Sequence, residues 1–138
     1  MTLTGKRQAS ERGNRMNQTK EKLVIISTHA EEVQDKATIP FALGSAALSM
    51  EEDVVIILQS TGFHLATKGY AERVHANGFP PLKELLEIYF ESGGKLMVCS
   101  PCAQARNIGP EDLIANVDAI SGAALVAETL SAKTVLTY

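Results

Sequence analysis

The sequence predicts an α/β protein: a three-layer α/β/α sandwich around a mainly parallel sheet of about five strands. Three observations carry that expectation. Short apolar, β-branched runs recur, as in KLVIIST (22–28), DVVIILQST (53–61) and KLMVCS (95–100). Such runs, apolar without strict alternation, suit strands buried on both faces. Segments with helical spacing separate them, giving each parallel neighbour its crossover and covering both faces with helices.

The elements follow in chain order. KLVIIST opens the sheet, and HAEEVQDK (29–36) reads as a polar loop. TIPFALGSAALSMEED (38–53) has small and apolar residues at helical spacing, with Gly44, Ser45 and Ala46 permitting close packing. The second strand is 53–61, and GFHLATKGYAERVHANGF (62–79) predicts a short helix between glycines. PPLKELLEIYFESGG (80–94) predicts a helix with Pro81 in its first turn, one face of Leu82, Leu85, Leu86 and Tyr89, and a stop at Gly93-Gly94. KLMVCS is the third strand, PCAQARN (101–107) starts a helix, and Pro110 opens a short turn. VDAIS (117–121), GAALVAETLSA (122–132) and KTVLTY (133–138) read as strand, helix and closing strand.

Length and charge narrow the function classes. A chain of 138 residues is one domain, long enough to bury a core without disulfide or metal staples. Residues 1–21 lack apolar content and period, which predicts a disordered arm before a domain at 22–138. Met16 reads as an alternative natural start. Residues 1–22 hold six basic against two acidic side chains, +4, and the remainder seven against fourteen, −7. An acidic body argues against nucleic acid as a partner. No apolar run reaches the length of a membrane span and no apolar segment follows the basic residues as in a secretory signal, so the expected location is cytoplasmic. Walker, G-x-G-x-x-G and Ser-His-Asp patterns are absent.

In a parallel sheet the functional crevice lies beyond the carboxyl ends of the strands. Three loops are expected there: 28–35, 60–65 and 99–102. The last holds the two cysteines of the chain, Cys99 and Cys102, spaced C-x-x-C around Ser100 and Pro101. A thiol at a helix start faces unpaired N–H groups, which lower its pKa and raise its nucleophilicity. Arg106 adds positive charge one turn on. From the residues alone the pair reads as a redox dithiol, a nucleophile with a neighbour, or two small core hydrophobes. Zinc would need two more ligands, and His64 and His75 are spaced too widely for a usual pair, so no metal is expected. His64, after Gly62-Phe63, and Lys68 lie near the same edge, where they could approach the thiol or hold an anionic sulfur species. His29, Glu31, Glu32 and Asp35 read as a charged, solvated loop.

From Lys22 to Tyr138 the chain resembles the DsrE/DsrF-like proteins, which include the sulfur-relay subunits of the Tus and Dsr systems. The resemblance rests on KLVIIST with the small-residue helix after it, TGFHLATKGY, the strand-end cysteine of KLMVCSPCAQARN, and the ending SGAALVAETLSAKTVLTY, in that order. It implies a small sulfur-transfer protein, a persulfide carrier or sulfurtransferase needing no cofactor. Cys99 would be the sulfur acceptor, and Gly62, Phe63, His64, Lys68 and Arg106 would line the substrate. Cys102 departs from the family pattern, where that position is small and apolar, and reads as an auxiliary or resolving thiol. The resemblance also implies a homo-oligomer (dimer, trimer or hexamer) and a sulfur-donor or sulfur-acceptor protein as partner. Two other readings stand beside it: a non-catalytic oligomeric binding or scaffold module, and a dithiol/disulfide oxidoreductase.

Overall fold

The apolar runs at 23–26, 54–58 and 96–98 become the inner strands of one five-stranded sheet, described by a computed structural model over residues 20–138. The strands are β1 (Lys22–Ser27), β2 (Asp53–Leu58), β3 (Lys95–Cys99), β4 (Val117–Ile120) and β5 (Thr134–Thr137). All pairings are parallel and the order is β4-β3-β2-β1-β5. The helices are α1 (Gln34–Ser49), α2 (Leu82–Glu91), α3 (Ser100–Ala105) and α4 (Gly122–Leu130). The expected three-layer α/β/α arrangement holds, with layers of unequal depth.

Strand alternation divides the core. Ile25, Val54, Ile56, Leu58, Leu96 and Val98 face α1, α2 and α3, where Phe41, Phe63, Leu82 and Tyr89 complete the larger cluster. Val24, Val55 and Ile57 face the other way, toward Leu125 of α4, with Ile26, Met97 and Ile120 half-buried beside them. Among the described residues this second face is served by one nine-residue helix with no buried side chain of its own.

Tyr89 fastens α2 to the sheet. Its buried ring meets Phe41 of α1 edge-on, with centroids 5.7 Å apart. Its hydroxyl donates to the Lys95 carbonyl at 2.5 Å and has the Val54 carbonyl 3.3 Å away. Burial pushes the hydroxyl's pKa up, so it stays a proton donor. Gly94 passes directly beneath the ring, where a Cβ would collide with it.

The structure corrects two expectations. The polar loop at 29–36 is short: a 3₁₀ turn over Glu31–Val33 runs into α1 from Gln34, so the helix begins before its apolar residues do. Pro40 then sits inside α1, at a position where the missing N–H leaves one carbonyl of the first turn without a helical donor. The helix expected within 62–79 is instead a pair of 3₁₀ segments, Ser60–Ala66 and Ala71–Arg73. Gly69 (φ +79°) and Gly78 (φ +86°) take left-handed backbone that ends any helix. Most of the segment expected as a disordered arm, with Met16, lies outside the described residues; Glu21 already joins the sheet margin, its carbonyl accepting from the Asp53 N–H at 2.9 Å.

Tyr89→Phe should retain the fold and lower unfolding free energy by about 1–2 kcal/mol, the usual loss for a buried hydroxyl that leaves acceptors unpaired. Urea denaturation checks this, and an unchanged midpoint would show that the hydroxyl contributes nothing.

Candidate functional site

Parallel pairing brings the carboxyl ends of all five strands to one edge. β3 and β4 pair with Cys99 opposite Ile120. Beyond that pair the chain leaves in opposite directions, into α3 against the larger core and into α4 against the smaller one. Adjacent strands whose continuations diverge open a crevice between them, where α/β sheets hold their ligands. A fourth loop, Ser121–Gly122, therefore borders the edge, next to the cysteine strand. Sequence reasoning missed it because chain order does not say which strands pair.

Cys99 ends β3 and caps α3, with extended backbone (φ −73°, ψ 118°). Alternation sets it on the face of Met97 and Ile120. Cys102 lies in the first turn of α3, with Ala103 packed against the larger core. Both thiols are free and half-buried. Cys102 is thus the third residue of the helix that Cys99 caps. Arg106 folds back over the same helix, Nη1 donating to the Cys102 carbonyl at 3.3 Å.

The expected lowering of the thiol pKa does not occur at Cys99, whose pKa is raised. Burial is the largest cause, and the neighbouring Cys102 side chain adds to it; the Cys102 backbone N–H and the Arg106 guanidinium pull the other way without prevailing. The short α3 does little to offset this burial. It has six residues, one of its first two is a proline without N–H, and no side-chain capping bond forms at Cys99. So short a helix offers little of the positive end that would favour thiolate.

The segment Ser60–Ala66 packs against both β3 and α3. Gly62 is there for space: a Cβ would lie 2.5 Å from the Ser27 carbonyl oxygen. Phe63 is fully buried and supports the segment from below, offering no surface to a ligand. His64 stacks on Tyr70, ring centroids 5.3 Å apart, and Arg73 lies 5.3 Å from the centre of the same ring. Lys68 Nζ donates to the Glu111 carbonyl at 2.7 Å. Of the residues singled out in sequence, Cys99, Cys102 and Arg106 share one junction; Gly62 and Phe63 support its flank; His64 and Lys68 engage Tyr70 and Glu111. Among the described residues no cluster of three His, Cys, Asp or Glu side chains could hold a metal. No helix there is long and apolar enough to cross a membrane.

Glu32, expected to be merely solvated, ties two edge loops together. It accepts from the Thr61 hydroxyl at 2.5 Å and the Ala30 N–H at 3.1 Å, and faces His29 Nδ1 at 3.3 Å. Burial raises its pKa, but the hydrogen bonds, led by Thr61, outweigh that and bring it from 4.5 to about 2. Nothing local in HAEEVQDK distinguishes Glu32 from Glu31, because Thr61 arrives from the 3₁₀ segment after β2.

A family model described as the DsrE/DsrF-like family matches residues 21–138. The chain belongs to the DsrE/DsrF-like family. Two relatives from Methanocaldococcus jannaschii align with this family member. The uncharacterized protein MJ0760 is 33% identical over 93 residues, which are 67% of this chain and 34% of that protein. The chain thus spans about a third of MJ0760. The uncharacterized protein MJ0989 is 28% identical over 117 residues, 85% of this chain and 99% of that one. Among solved structures, the ychN protein of E. coli superposes with a TM-score of 0.66 at 24% identity, covering 86% of this chain and 99% of its own. MTH1491 of Methanobacterium thermoautotrophicum superposes with a TM-score of 0.60 at 13% identity, covering 87% and 100%. Both structures establish a shared fold.

Two measurements test this edge. Gly62→Ala should destabilise the protein by roughly 1–3 kcal/mol, since a Cβ meets backbone that cannot swing aside. A chemical melt equal to the parent's would show that the contact relaxes freely. Because Glu32 has a depressed pKa when folded, its contribution is fully present above 4.5 and is lost as pH falls toward about 2. Glu32→Gln should flatten the fall in stability across that window, and parallel acid-stability curves would argue against the linkage.

Proposed function

We propose that this chain is a sulfur carrier whose acceptor is Cys99. The observation that carries the reading is a free, half-exposed cysteine ending β3 where α3 and α4 diverge. Membership of the DsrE/DsrF-like family supports sulfur relay in general. The Cys99 thiolate attacks the outer sulfur of a donor persulfide, the donor thiolate leaves, and Cys99 holds the new persulfide for an acceptor. Arg106 and the Cys102 N–H offset the negative charge. The chemistry needs no cofactor. Donor and acceptor are sulfur-handling proteins or small persulfides, and the reducing cytoplasm is the compartment that keeps both thiols free. Proximity of Cys102 favours one second reading, a dithiol oxidoreductase, which would reduce insulin disulfides where a carrier would not.

We also propose that the chain self-associates through α4. A parallel sheet requires cover on both faces. On this side Val126 is 52% and Leu130 81% exposed, and Val135 of β5, paired with Val24 on the same sheet face, is also exposed. A second copy of the same surface supplies matching apolar contact.

Intact mass after incubation with a small persulfide tests the carrier reading. The parent should gain one sulfur atom that reductant removes, and Cys99→Ser should gain none. Loading of Cys99→Ser equal to the parent's would end the assignment. Since the Cys99 pKa is raised, its alkylation by iodoacetamide should accelerate as pH climbs above the ordinary thiol range, and a rate already saturated at neutral pH would contradict this. Leu130→Asp should lower the sedimentation coefficient at micromolar concentration; an oligomer of unchanged size would move the interface elsewhere.

A further inference from the structure

Cys102 is the third residue of α3, the helix that Cys99 caps, and both thiols are free and half-buried. A cap and the third residue of its helix are neighbours, as the reciprocal bonds of a capping box require. Helical positions three apart separate Cβ atoms by about 5–6 Å, against about 3.5–4.5 Å in a disulfide. Rotation of the cap residue, whose backbone lies outside the helix, closes that gap without unwinding α3. The thiol that Cys102 reaches is also the sulfur that stays attached to the protein when Cys99 is loaded.

We propose that Cys102 clears undelivered sulfur from Cys99: it attacks the inner sulfur of the Cys99 persulfide, closes a Cys99–Cys102 disulfide and expels hydrosulfide. The proposal rests on the carrier reading. The Cys102 Sγ–H gives its proton to solvent, and the resulting thiolate forms a bond to Cys99 Sγ. The bond between Cys99 Sγ and the outer sulfur breaks, and its electron pair leaves with that sulfur as HS⁻. The outer sulfur is thereby reduced, and the two cysteine sulfurs are oxidised to the disulfide. An external dithiol reductant returns the pair to thiols by exchange. A chain so built hands on sulfur only while an acceptor arrives faster than Cys102 reacts. Without an acceptor, it releases sulfide and waits for reduction.

The test uses the full chain in anaerobic buffer with cysteine persulfide as donor. Intact mass and released hydrosulfide are followed after excess donor is removed. Because Cys102 packs partly against the core, Cys102→Ala accompanies Cys102→Ser. Both variants should keep the added sulfur atom, with a persulfide lifetime at least roughly tenfold that of the parent, since a tethered thiol acts at an effective concentration that no free thiol in the assay attains. The parent should release one hydrosulfide per chain and end two hydrogens lighter than its reduced form. Equal persulfide lifetimes in parent and variants, without sulfide release, would overturn the clearing step and leave the carrier reading standing. Failure of parent and variants alike to gain sulfur would overturn both.

Discussion

The parallel register of β3 against β4, with Cys99 opposite Ile120, is the constraint on which the rest depends. It carries the strand-end cysteine to an edge shared by every other strand end. It also aligns two strands whose continuations separate, α3 to the larger core and α4 to the smaller. Shifting that pairing by one residue would reverse the two faces of β4 and move Ile120 from beside Met97 to the opposite side. The position of the crevice follows from strand order and from no single motif.

The two faces of the sheet are stabilised unequally. On the larger side, α1 and α2 cover β1 to β3, and Tyr89 links Phe41, Val54 and Lys95 in one contact set. On the smaller side, one short helix among the described residues covers Val24, Val55 and Ile57 and leaves Leu130 in solvent. The rigid side thus holds Cys102, and the thinly covered side borders Cys99. Cys99 sits at the boundary between a well-packed support and a thinly covered apolar surface.

Electrostatics at the junction pull in both directions, with burial prevailing. Burial and the Cys102 side chain favour the thiol of Cys99; the Cys102 N–H and Arg106 favour the thiolate. A thiol made less acidic than usual is a stronger nucleophile once ionised, and a slower one at neutral pH. Nearby, Glu32 secures the 28–32 and 60–62 loops by bonds to Thr61 and Ala30, which keeps the flank of the junction in register.

By itself the sequence determined the α/β class, the five strands to within three residues, the helix inside 80–94 and the strand-end position of Cys99. These follow from local information: β-branched runs, helical spacing around Leu82, Leu85, Leu86 and Tyr89, and proline and glycine punctuation. The start of α1 escaped because its opening residues, Gln34 to Lys36, are polar and carry no period. The 3₁₀ segments escaped because glycine freedom marks a break without naming its form. Only the tertiary structure decided that Glu32 reaches Thr61, that His64 is engaged with Tyr70 and Lys68 with Glu111, that Ser121 borders the cysteine strand, and that the Cys99 pKa rises instead of falling. Each of these depends on a partner brought in from a distant part of the chain, or on how deeply packing buries a group. Neither is encoded in the spacing of nearby residues.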